Sequence, residues 1–326
     1  MSLLKRFSRW MISFADANMI KCCSCGRKAA GKDRALKGWL IVNSFVKWDK
    51  FSEIYNLLLE AGKKVGVELD LKTSSDIFCS VQSGFDDFEL PDFGIFWDKD
   101  ILLASRLEKM GLKLFNSSQS IEACDDKGQT AIALVSGGIR TPKTFLSPKA
   151  YPTFGCTDLS FLRKAEEELG YPMVIKENRG SFGQQVHLVK NSYEAEVLIA
   201  SFKEHPFIMQ EYIEESAGRD VRINVVGDKV VASMYRYNDN DFRSNITNGG
   251  SMKSFTATKE QEELAIAACR ALGLDFAGVD VLFGKEGPII CEVNSNPHFK
   301  TTLQCTGINM AEHIISYIKE YLDERK

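Results

Sequence analysis

The fold is decided by one stretch near the C-terminus, Ile289-Ile290-Cys291-Glu292-Val293-Asn294-Ser295-Asn296-Pro297. Its apolar, β-branched character predicts a buried strand. The alternation of side chains along a strand places Glu292 and Asn294 on one face and Cys291 and Val293 on the other. Because an unpaired charge is costly to bury, a carboxylate on such a strand requires a partner.

A second strand is predicted just upstream, Ala277 to Phe283. With a three-residue loop, Lys285 to Gly287, and Gly287 in the left-handed conformation, Asp280 falls opposite Glu292 on the same face. Two carboxylates and a carboxamide then converge. This donor set suits Mg²⁺, which takes one or two carboxylates from a protein and the rest of its shell from water and phosphates. The pattern predicts a magnesium site beside a nucleotide. The alternative is an edge hairpin whose acidic residues face solvent.

Composition excludes several classes of protein. A chain of 326 residues allows two or three compact units, and 44% apolar with 26% charged residues is typical of a soluble protein. A net charge of −3 does not indicate a protein that binds nucleic acid through its overall charge. The nine cysteines are odd in number and irregularly spaced, which indicates reduced thiols. We therefore expect a cytoplasmic protein with no nucleic-acid or membrane partner.

The first segment, residues 1–36, is basic and differs from the rest. Its apolar run, Trp10 to Ala15, is too short to span a membrane and makes a poor secretory signal. Cys22, Cys23 and Cys25 could form half of a zinc site, but no second Cys/His pair follows at finger spacing. We expect a flexible basic extension, or an upstream start codon before Met19.

From Lys37 the pattern becomes regular and predicts a small α/β domain with a parallel sheet, over residues 37–116. The predicted elements are strand Trp39 to Val42, helix Phe51 to Ala61, strand Val65 to Leu69, strand Phe93 to Trp97, helix Asp100 to Met110 and strand Leu112 to Phe115.

The middle of the chain carries a candidate phosphate site. A helix is predicted from Ser117 to Ser136 and contains Lys127, and Met173 to Lys176 reads as a strand ending in lysine. The loop Arg179 to Gly183 follows, and its glycines would let backbone N–H groups surround an anion while Lys176 reaches the phosphates. The loop is not a Walker A motif, because a strand follows it, and a plain hairpin turn is the alternative.

The next apolar strand, Phe207 to Ile213, could offer backbone groups to an adenine ring, and a nearby carboxylate could hold the ribose. Asp241 to Asn245 form a polar loop with more donors than a turn requires. Two amphipathic helices, Glu260 to Leu272 and Met310 to Leu322, are expected to be structural.

Taken together, these motifs resemble the ATP-grasp superfamily, specifically ligases of the RimK type, which add glutamate to the C-terminus of a ribosomal protein. The resemblance covers Lys37 to about Tyr321. It is densest in QEYIEESAGRDVRINVVGDKVVASMYR, DFRSNITNGG, LDFAGVDVLF, CEVNSNP and Gln304 to Ile308. It implies an α/β and α+β architecture, in which a pre-ATP-grasp domain precedes an ATP-grasp domain over 117–326, with a lid at about 142–212 and a catalytic subdomain at about 213–326.

The resemblance also implies roles for individual residues. The ATP-binding residues would be Lys127 and Lys176 on the phosphates, Gly180, Ser181 and Gly183 in the loop, Glu211, Tyr212 and Ile213 at the adenine, Asp220 at the ribose, and Ser244. The Mg²⁺ ligands would be Asp280, Glu292 and Asn294, as the strand geometry suggests independently. The catalytic residues near the phosphates and the substrate carboxylate would be Arg222, Arg243 and Asn245.

Two departures from the family pattern bear on the substrate. Glutamine follows Gly183 where the family tends to have a further glycine, and His298-Phe299-Lys300 replaces a smaller glycine-containing turn. His298 is a candidate general base.

The function implied is an ATP- and Mg²⁺ (or Mn²⁺)-dependent carboxylate–amine ligase that acts through an acyl phosphate and releases ADP. It would join glutamate or a similar amino acid to a peptide, protein or small-molecule carboxylate, and we expect a homo-oligomer. The alternatives are a γ-glutamyl ligase for a coenzyme, a ligase acting on a carrier protein, a ligase that modifies a secreted peptide, and a nucleotide-binding module without turnover.

Overall fold

The computed structural model describes residues 34–82, 88–181 and 183–325. Cys22, Cys23 and Cys25, together with nearly all of the basic segment, lie outside these ranges. Residues from Ala35 onward form one compact unit built on three sheets. Within the described ranges, no helix combines the length and the apolar character needed to cross a membrane.

The first sheet is parallel, as the strand–helix–strand pattern predicted, with strand order β2-β1-β3-β4. Two helices, α1 and α2, pack on its faces, and both faces are buried. The elements are β1 Leu36–Val42, α1 Asp49–Lys64, β2 Val67–Thr73, β3 Phe93–Trp97, α2 Ile101–Lys109 and β4 Leu114–Phe115. Because β1 pairs with β2 on one side and with β3 on the other, the strand order reverses between β1 and β3. In open parallel sheets, ligands bind outside the carboxyl ends of strands at such a point.

The second sheet, here called the lid sheet after the expectation given above, is antiparallel with order β5-β8-β6-β7 and has its own core beneath two helices. Its elements are β5 Thr144–Leu146, α5 Ser160–Leu169, β6 Met173–Glu177, β7 Val186–Val189, α6 Ser192–Phe202 and β8 Phe207–Glu211.

The third sheet, the C-terminal sheet, is also antiparallel, with order β11-β10-β9-β12-β13. Both amphipathic helices predicted here are confirmed, as α7 and α9. The elements are β9 Arg219–Val226, β10 Lys229–Tyr237, β11 Ser251–Ser254, α7 Lys259–Ala271, β12 Phe276–Gly284, β13 Gly287–Asn294, α8 Lys300–Thr306 and α9 Met310–Asp323.

The first and third sheets share a hydrophobic core, and the packing in this core fixes their relative position. Trp97 stacks on Phe276 at 5.5 Å between ring centroids, and Phe299 meets Trp97 edge-on at 5.7 Å. The buried amide of Asn116 joins the same elements, because its Nδ2 donates to the carbonyls of Phe276 and Ser295, both at 3.0 Å. The carboxyl ends of the first sheet are thereby held against the end of β13.

The single helix predicted from Ser117 to Ser136 is wrong in one respect. The structure has two helices, α3 Ser118–Asp125 and α4 Lys127–Ser136, which are separated at Asp126. Asp126 is extended, and its carboxylate accepts hydrogen bonds from the backbone N–H groups of Gly128 and Gln129. Aspartate is a favoured N-cap because it satisfies such donors. Lys127 is consequently the first residue of α4.

The hairpin of β12 and β13 confirms the predicted pairing of Asp280 with Glu292, but not the predicted loop. Gly284 pairs with Gly287, so the turn holds two residues instead of three. The register is restored by a bulge between Asp280 and Val281, where Cys291 is the extra residue on β13. A bulge bends its strand and re-aims a side chain.

Candidate active site

The predicted site residues line two neighbouring cavities. The first, here called the lid cavity, has a volume of about 100 Å³ and lies between the lid sheet and the C-terminal sheet. It is lined by the following predicted residues: Lys176, Gly183, Glu211, Tyr212, Ile213, Asp220, Arg243, Ser244, Asn245, Asp280 and Glu292.

The second, here called the first-sheet cavity, is larger, at about 390 Å³. Its walls come from the carboxyl ends of β1 and β3, from the segment joining α3 to α4, and from the C-terminal sheet. It is lined by the predicted residues Lys127, Gly180, Ser181, Arg222, Asn245, Glu292 and Asn294. Every predicted site residue therefore lies at one cavity or the other.

The two cavities meet at three residues, Arg236, Asn245 and Glu292, which line both. A carboxylate, a guanidinium and an amide thus stand at the junction. A group transferred from a ligand in one cavity to a ligand in the other would pass these side chains.

Four buried charges form a chain beneath the junction. Arg222 Nη2 lies 2.9 Å from Asp280 Oδ2, and Arg222 Nε also contacts Asp280 Oδ1. Arg236 Nη2 lies 2.9 Å from Asp280 Oδ1, and its Nε lies 2.7 Å from Asp220 Oδ1. Burial would raise the pKa of Asp280, but the charges of Arg222 and Arg236 outweigh it and hold that pKa below its usual range. Asp280 is therefore ionised and charge-compensated.

Arg236 is the site residue that the sequence interpretation missed. Burial opposes the charged form, but Asp220 and Asp280 together raise the pKa of Arg236. A signal was present, because an arginine inside an apolar strand requires a partner and Arg236 pairs directly with Asp220 across β9 and β10. The carboxylate of Asp220, expected at a ribose, is held by this arginine.

The two predicted phosphate lysines approach from different sides. Lys127 Nζ lies 3.7 Å from Glu292 Oε1 and 3.4 Å from the carbonyl oxygen of Gly180, at the first-sheet cavity. Lys176, which is only 7% exposed, extends from β6 into the lid cavity, where its Nζ lies 3.8 Å from the sulfur of Cys291. The split at Asp126 and the end of β6 thus aim two ammonium groups at one junction.

The prediction that Cys291 faces away from the metal ligands is wrong. Cys291 lines the lid cavity together with Asp280 and Glu292. The bulge is the physical reason, since the extra residue interrupts the strict alternation of faces along β13. Burial raises the pKa of the Cys291 thiol, so the side chain is neutral beside Lys176.

The glycine loop is closed onto the polar loop that follows β10. Arg243 Nη1 donates to the carbonyl oxygen of Gly183 at 2.6 Å, and Asp241 holds the same guanidinium with Nη2 at 2.7 Å. Gly183 has a φ of +70°, and a Cβ there would lie 3.0 Å from Asn245 Oδ1. Glycine thus permits both the left-handed backbone and the close approach.

The model of the RimK-like ATP-grasp domain matches residues 124–318. The chain belongs to the RimK-like ATP-grasp family. A probable alpha-L-glutamate ligase 1 from Shewanella sp. (strain W3-18-1) is 39% identical over 224 residues, covering 68% of this chain and 72% of that protein.

Two other relatives are longer. N-acetylaspartylglutamate synthase A from Homo sapiens is 34% identical over 232 residues, and β-citrylglutamate synthase B from Danio rerio is 33% identical over 231 residues. Each match covers 70% of this chain but only 58% and 56% of the relative, respectively, so the chain spans little more than half of their length.

Solved structures show the same ATP-grasp fold. A RimK domain ATP-grasp protein from Sphaerobacter thermophilus superposes with a TM-score of 0.66 at 20% identity, covering 87% of this chain and 99% of that one. D-alanine–D-alanine ligase from Bacillus anthracis complexed with ATP gives 0.67 at 18% identity, covering 90% and 100%. The predicted fold class is confirmed.

The predicted metal ligands of this ATP-grasp protein are donors of the kind that Mg²⁺ takes, but in this structure both carboxylate oxygens of Asp280 are held by Arg222 and Arg236. Asp280 and Glu292 are direct cross-strand neighbours, and Asn294 pairs with Gly278 two residues along the same ladder. Over the described ranges, no three His, Cys, Asp or Glu side chains form a metal-binding group. Two carboxylates with an amide match an ion that completes its shell with phosphates and water.

His298 lies at the first-sheet cavity, with its Nε2 3.3 Å from the carbonyl oxygen of Lys50 and its ring edge-on to Phe51. Burial lowers the pKa of His298, which favours neutral imidazole. Its role as a general base remains a prediction.

Proposed function

We propose that the protein is an ATP- and Mg²⁺ (or Mn²⁺)-dependent carboxylate–amine ligase, which forms an amide bond and releases ADP and phosphate. The observation that carries this proposal is the junction of the two cavities at Arg236, Asn245 and Glu292. A nucleotide in the lid cavity and a carboxylate in the first-sheet cavity would meet there.

In the first half-reaction, a carboxylate oxygen of one substrate attacks the γ-phosphorus of ATP. The bond from that phosphorus to its bridging oxygen breaks, and ADP leaves with the electron pair. Lys127, Lys176 and Arg243 stabilise the negative charge that develops on the phosphoryl oxygens. Glu211, Tyr212 and Ile213 hold the adenine, with Asp220 toward the ribose.

In the second half-reaction, the neutral amine nitrogen attacks the acyl carbon and the bond from that carbon to the phosphate oxygen breaks. The departing phosphate leaves with the electron pair and takes the proton that the nitrogen loses. The closed glycine loop, held by Arg243 at Gly183, keeps water from the acyl phosphate. Asp280, Glu292 and Asn294 would hold Mg²⁺, which would supply positive charge for the phosphoryl transfer. Arg222 orients the carboxylate of Asp280 within the hairpin.

Glutamate is the favoured amine substrate. The names of the three relatives given above all contain glutamate, which supports this choice of substrate. The carboxylate substrate would be a peptide, a protein or a small molecule such as citrate or N-acetylaspartate.

A coupled ADP-release assay tests this function, with L-glutamate and other amino acids crossed against citrate, N-acetylaspartate and peptides with a free C-terminus. We expect ADP to form rapidly only when an amine and a carboxylate are both present, with one phosphate released per ADP. Saturable ATP binding without ADP release over the whole grid would instead indicate a regulatory nucleotide-binding module.

A further inference from the structure

The polar loop after β10 contains a carboxylate, that of Asp241, which the mechanism above does not use. Both of its oxygens hold the guanidinium of Arg243, because Nε lies 3.0 Å from Oδ1 and Nη2 lies 2.7 Å from Oδ2. The backbone N–H of Arg243 also donates to Oδ1, at 2.8 Å. A carboxylate that binds a guanidinium through two parallel hydrogen bonds fixes the plane in which the guanidinium lies.

The remaining nitrogen of this guanidinium points to the lid sheet. Arg243 Nη1 donates to the carbonyl oxygen of Gly183 at 2.6 Å and lies 3.5 Å from that of Val186, the first residue of β7. The backbone that leads into β7 is therefore held by a side chain whose orientation depends on Asp241.

The backbone of the polar loop is itself fixed to the C-terminal sheet. The N–H of Gly218, which precedes β9, donates to the carbonyl oxygen of Phe242 at 2.8 Å, and the N–H of Asn238 donates to that of Gly218 at 2.7 Å. Gly218 has a φ of +66°, and a Cβ there would lie 2.8 Å from the carbonyl oxygen of Asp241. Asp241 is thus mounted on the C-terminal sheet and reaches the lid sheet through Arg243.

The other end of the connection between β6 and β7 is tied to a different element. Asn178, directly after β6, donates from Nδ2 to Asp126 Oδ1 at 2.9 Å, and its carbonyl oxygen accepts from the backbone N–H of Lys127 at 3.0 Å. Both partners lie at the start of α4. The contact of Arg243 therefore ties the β7 end to the C-terminal sheet, across the lid cavity.

We propose that Asp241 is a positioning residue, which holds Arg243 against Gly183 and Val186 and thereby keeps the lid sheet over the acyl phosphate until the amine attacks. The inference rests on the proposed ligase function and deepens it. Asp241 lines neither cavity, whereas Arg243 lines the lid cavity. Arg243 Nη2 carries a second N–H with no acceptor among the described residues, so the guanidinium keeps a donor for a phosphate while Asp241 holds it.

The consequence concerns the fate of the acyl phosphate. If water reaches the acyl carbon, its oxygen attacks there and the bond from that carbon to the phosphate oxygen breaks. Phosphate leaves with the electron pair and takes a proton from the water, and the free carboxylate is regenerated. ATP is then consumed without amide formation, so loss of the positioning residue should uncouple ADP release from ligation.

The ratio of ADP to amide product tests the assignment, with ADP followed by the coupled assay and amide by mass spectrometry. Asp241→Asn replaces one acceptor by an N–H donor that faces the guanidinium, and we expect at least about twofold more ADP than amide. Asp239→Asn is the matched control, since Asp239 is exposed in the same segment and the chemical change is identical. Wild type and control should form about one ADP per amide. Asp241→Glu, which keeps the charge, should recover much of the coupling.

Hydrogen–deuterium exchange on the full chain gives a second measurement that requires no turnover. We expect the amides of residues 183–186 to exchange about tenfold faster in Asp241→Asn than in Asp239→Asn, because a charge-assisted contact to this backbone is weakened. Melting temperatures check that each variant is folded, and Asp241→Ser carries the same expectations if Asp241→Asn does not fold.

Either of two results would overturn the assignment: one ADP per amide in a folded Asp241 variant, or unchanged exchange over residues 183–186. A purely structural role would lower the melting temperature while the ratio of ADP to amide stays at that of wild type. The ligase function fails in a different way, by the absence of ADP release and amide from the wild-type protein while the faster exchange in Asp241→Asn is still observed.

Discussion

The lid cavity and the first-sheet cavity share three residues but are built in different ways. Most of the lid cavity comes from two short runs, Gln210 to Ile213 and Phe242 to Asn245, and from one hairpin. The first-sheet cavity joins one longer run, Glu292 to His298, to shorter pieces from distant parts of the chain, such as Asn43 and Trp97 to Lys99. Local motifs thus mark the proposed nucleotide side, whereas the proposed substrate side also depends on how the sheets pack.

Their electrostatics differ as well. In the lid cavity, Asp220 and Asp280 are buried and compensated by two arginines. In the first-sheet cavity, Asp98 is half-buried and has no such partner among the described residues. The first arrangement is prepared for an anion such as a phosphate, since the arginines can share their hydrogen bonds with it.

Removing Arg236 should have the largest effect, because it leaves Asp220 as an uncompensated buried charge and takes one of its two arginines from Asp280. We expect Arg236→Met to lower the free energy of unfolding by about 3–5 kcal/mol in urea denaturation. Arg270→Met is the control, since Arg270 forms an exposed ion pair with Asp228 and its loss should change stability far less. Equal effects of the two variants would show that the buried chain does not stabilise the lid cavity.

Glu292→Gln should nearly abolish turnover without unfolding the protein. Glu292 lies at the junction, so the substitution removes a negative charge from both cavities while keeping the side-chain shape. We expect kcat for ADP release to fall by about 10²–10³-fold. Glu286→Gln, in the exposed turn of the same hairpin, should retain wild-type activity. Turnover by Glu292→Gln close to the wild-type rate would refute the metal site.

Substitution of Lys176 and of Lys127 should distinguish the contributions of the two cavities to binding. Lys176→Ala should weaken ATP binding by about tenfold, because an ammonium directed into the lid cavity is lost. Lys127→Ala should weaken ATP and also raise the KM of the carboxylate substrate, since Lys127 lines the first-sheet cavity. Fluorescence titration with a labelled nucleotide and steady-state kinetics measure the two effects. Lys190→Ala, exposed at the end of β7, is the control.

Cys291→Ser should have the smallest effect. The substitution is nearly isosteric, so the KM for ATP should change by less than about tenfold. Cys291→Leu, by contrast, adds volume to the lid cavity beside Lys176 and should weaken nucleotide binding clearly. Tight nucleotide binding by the leucine variant would mean that Cys291 faces away from the cavity after all.

The sequence by itself determined many of the elements and indicated the family. Periodicity predicted the parallel first sheet, helices α7 and α9, and the pairing of Asp280 with Glu292. Those signals depend on residues close together in the chain, or on motifs that keep a fixed order. They are therefore readable without knowing how the sheets pack.

Only the tertiary structure decided which side chains meet. The turn is one residue shorter than predicted, and the bulge at Cys291 adds one residue to β13. The two differences offset each other, so Asp280 still pairs with Glu292 and the alternation pattern reveals neither of them. Asp126 separates α3 from α4 because its side chain caps the start of α4. The periodicity of apolar residues carries no signal of that cap. Asp98 meets Asn43 across 55 residues and Asn296 across 198. Contacts over such separations arise from the packing of Trp97, Phe276 and Phe299 between two sheets, and no local pattern in the chain encodes that packing.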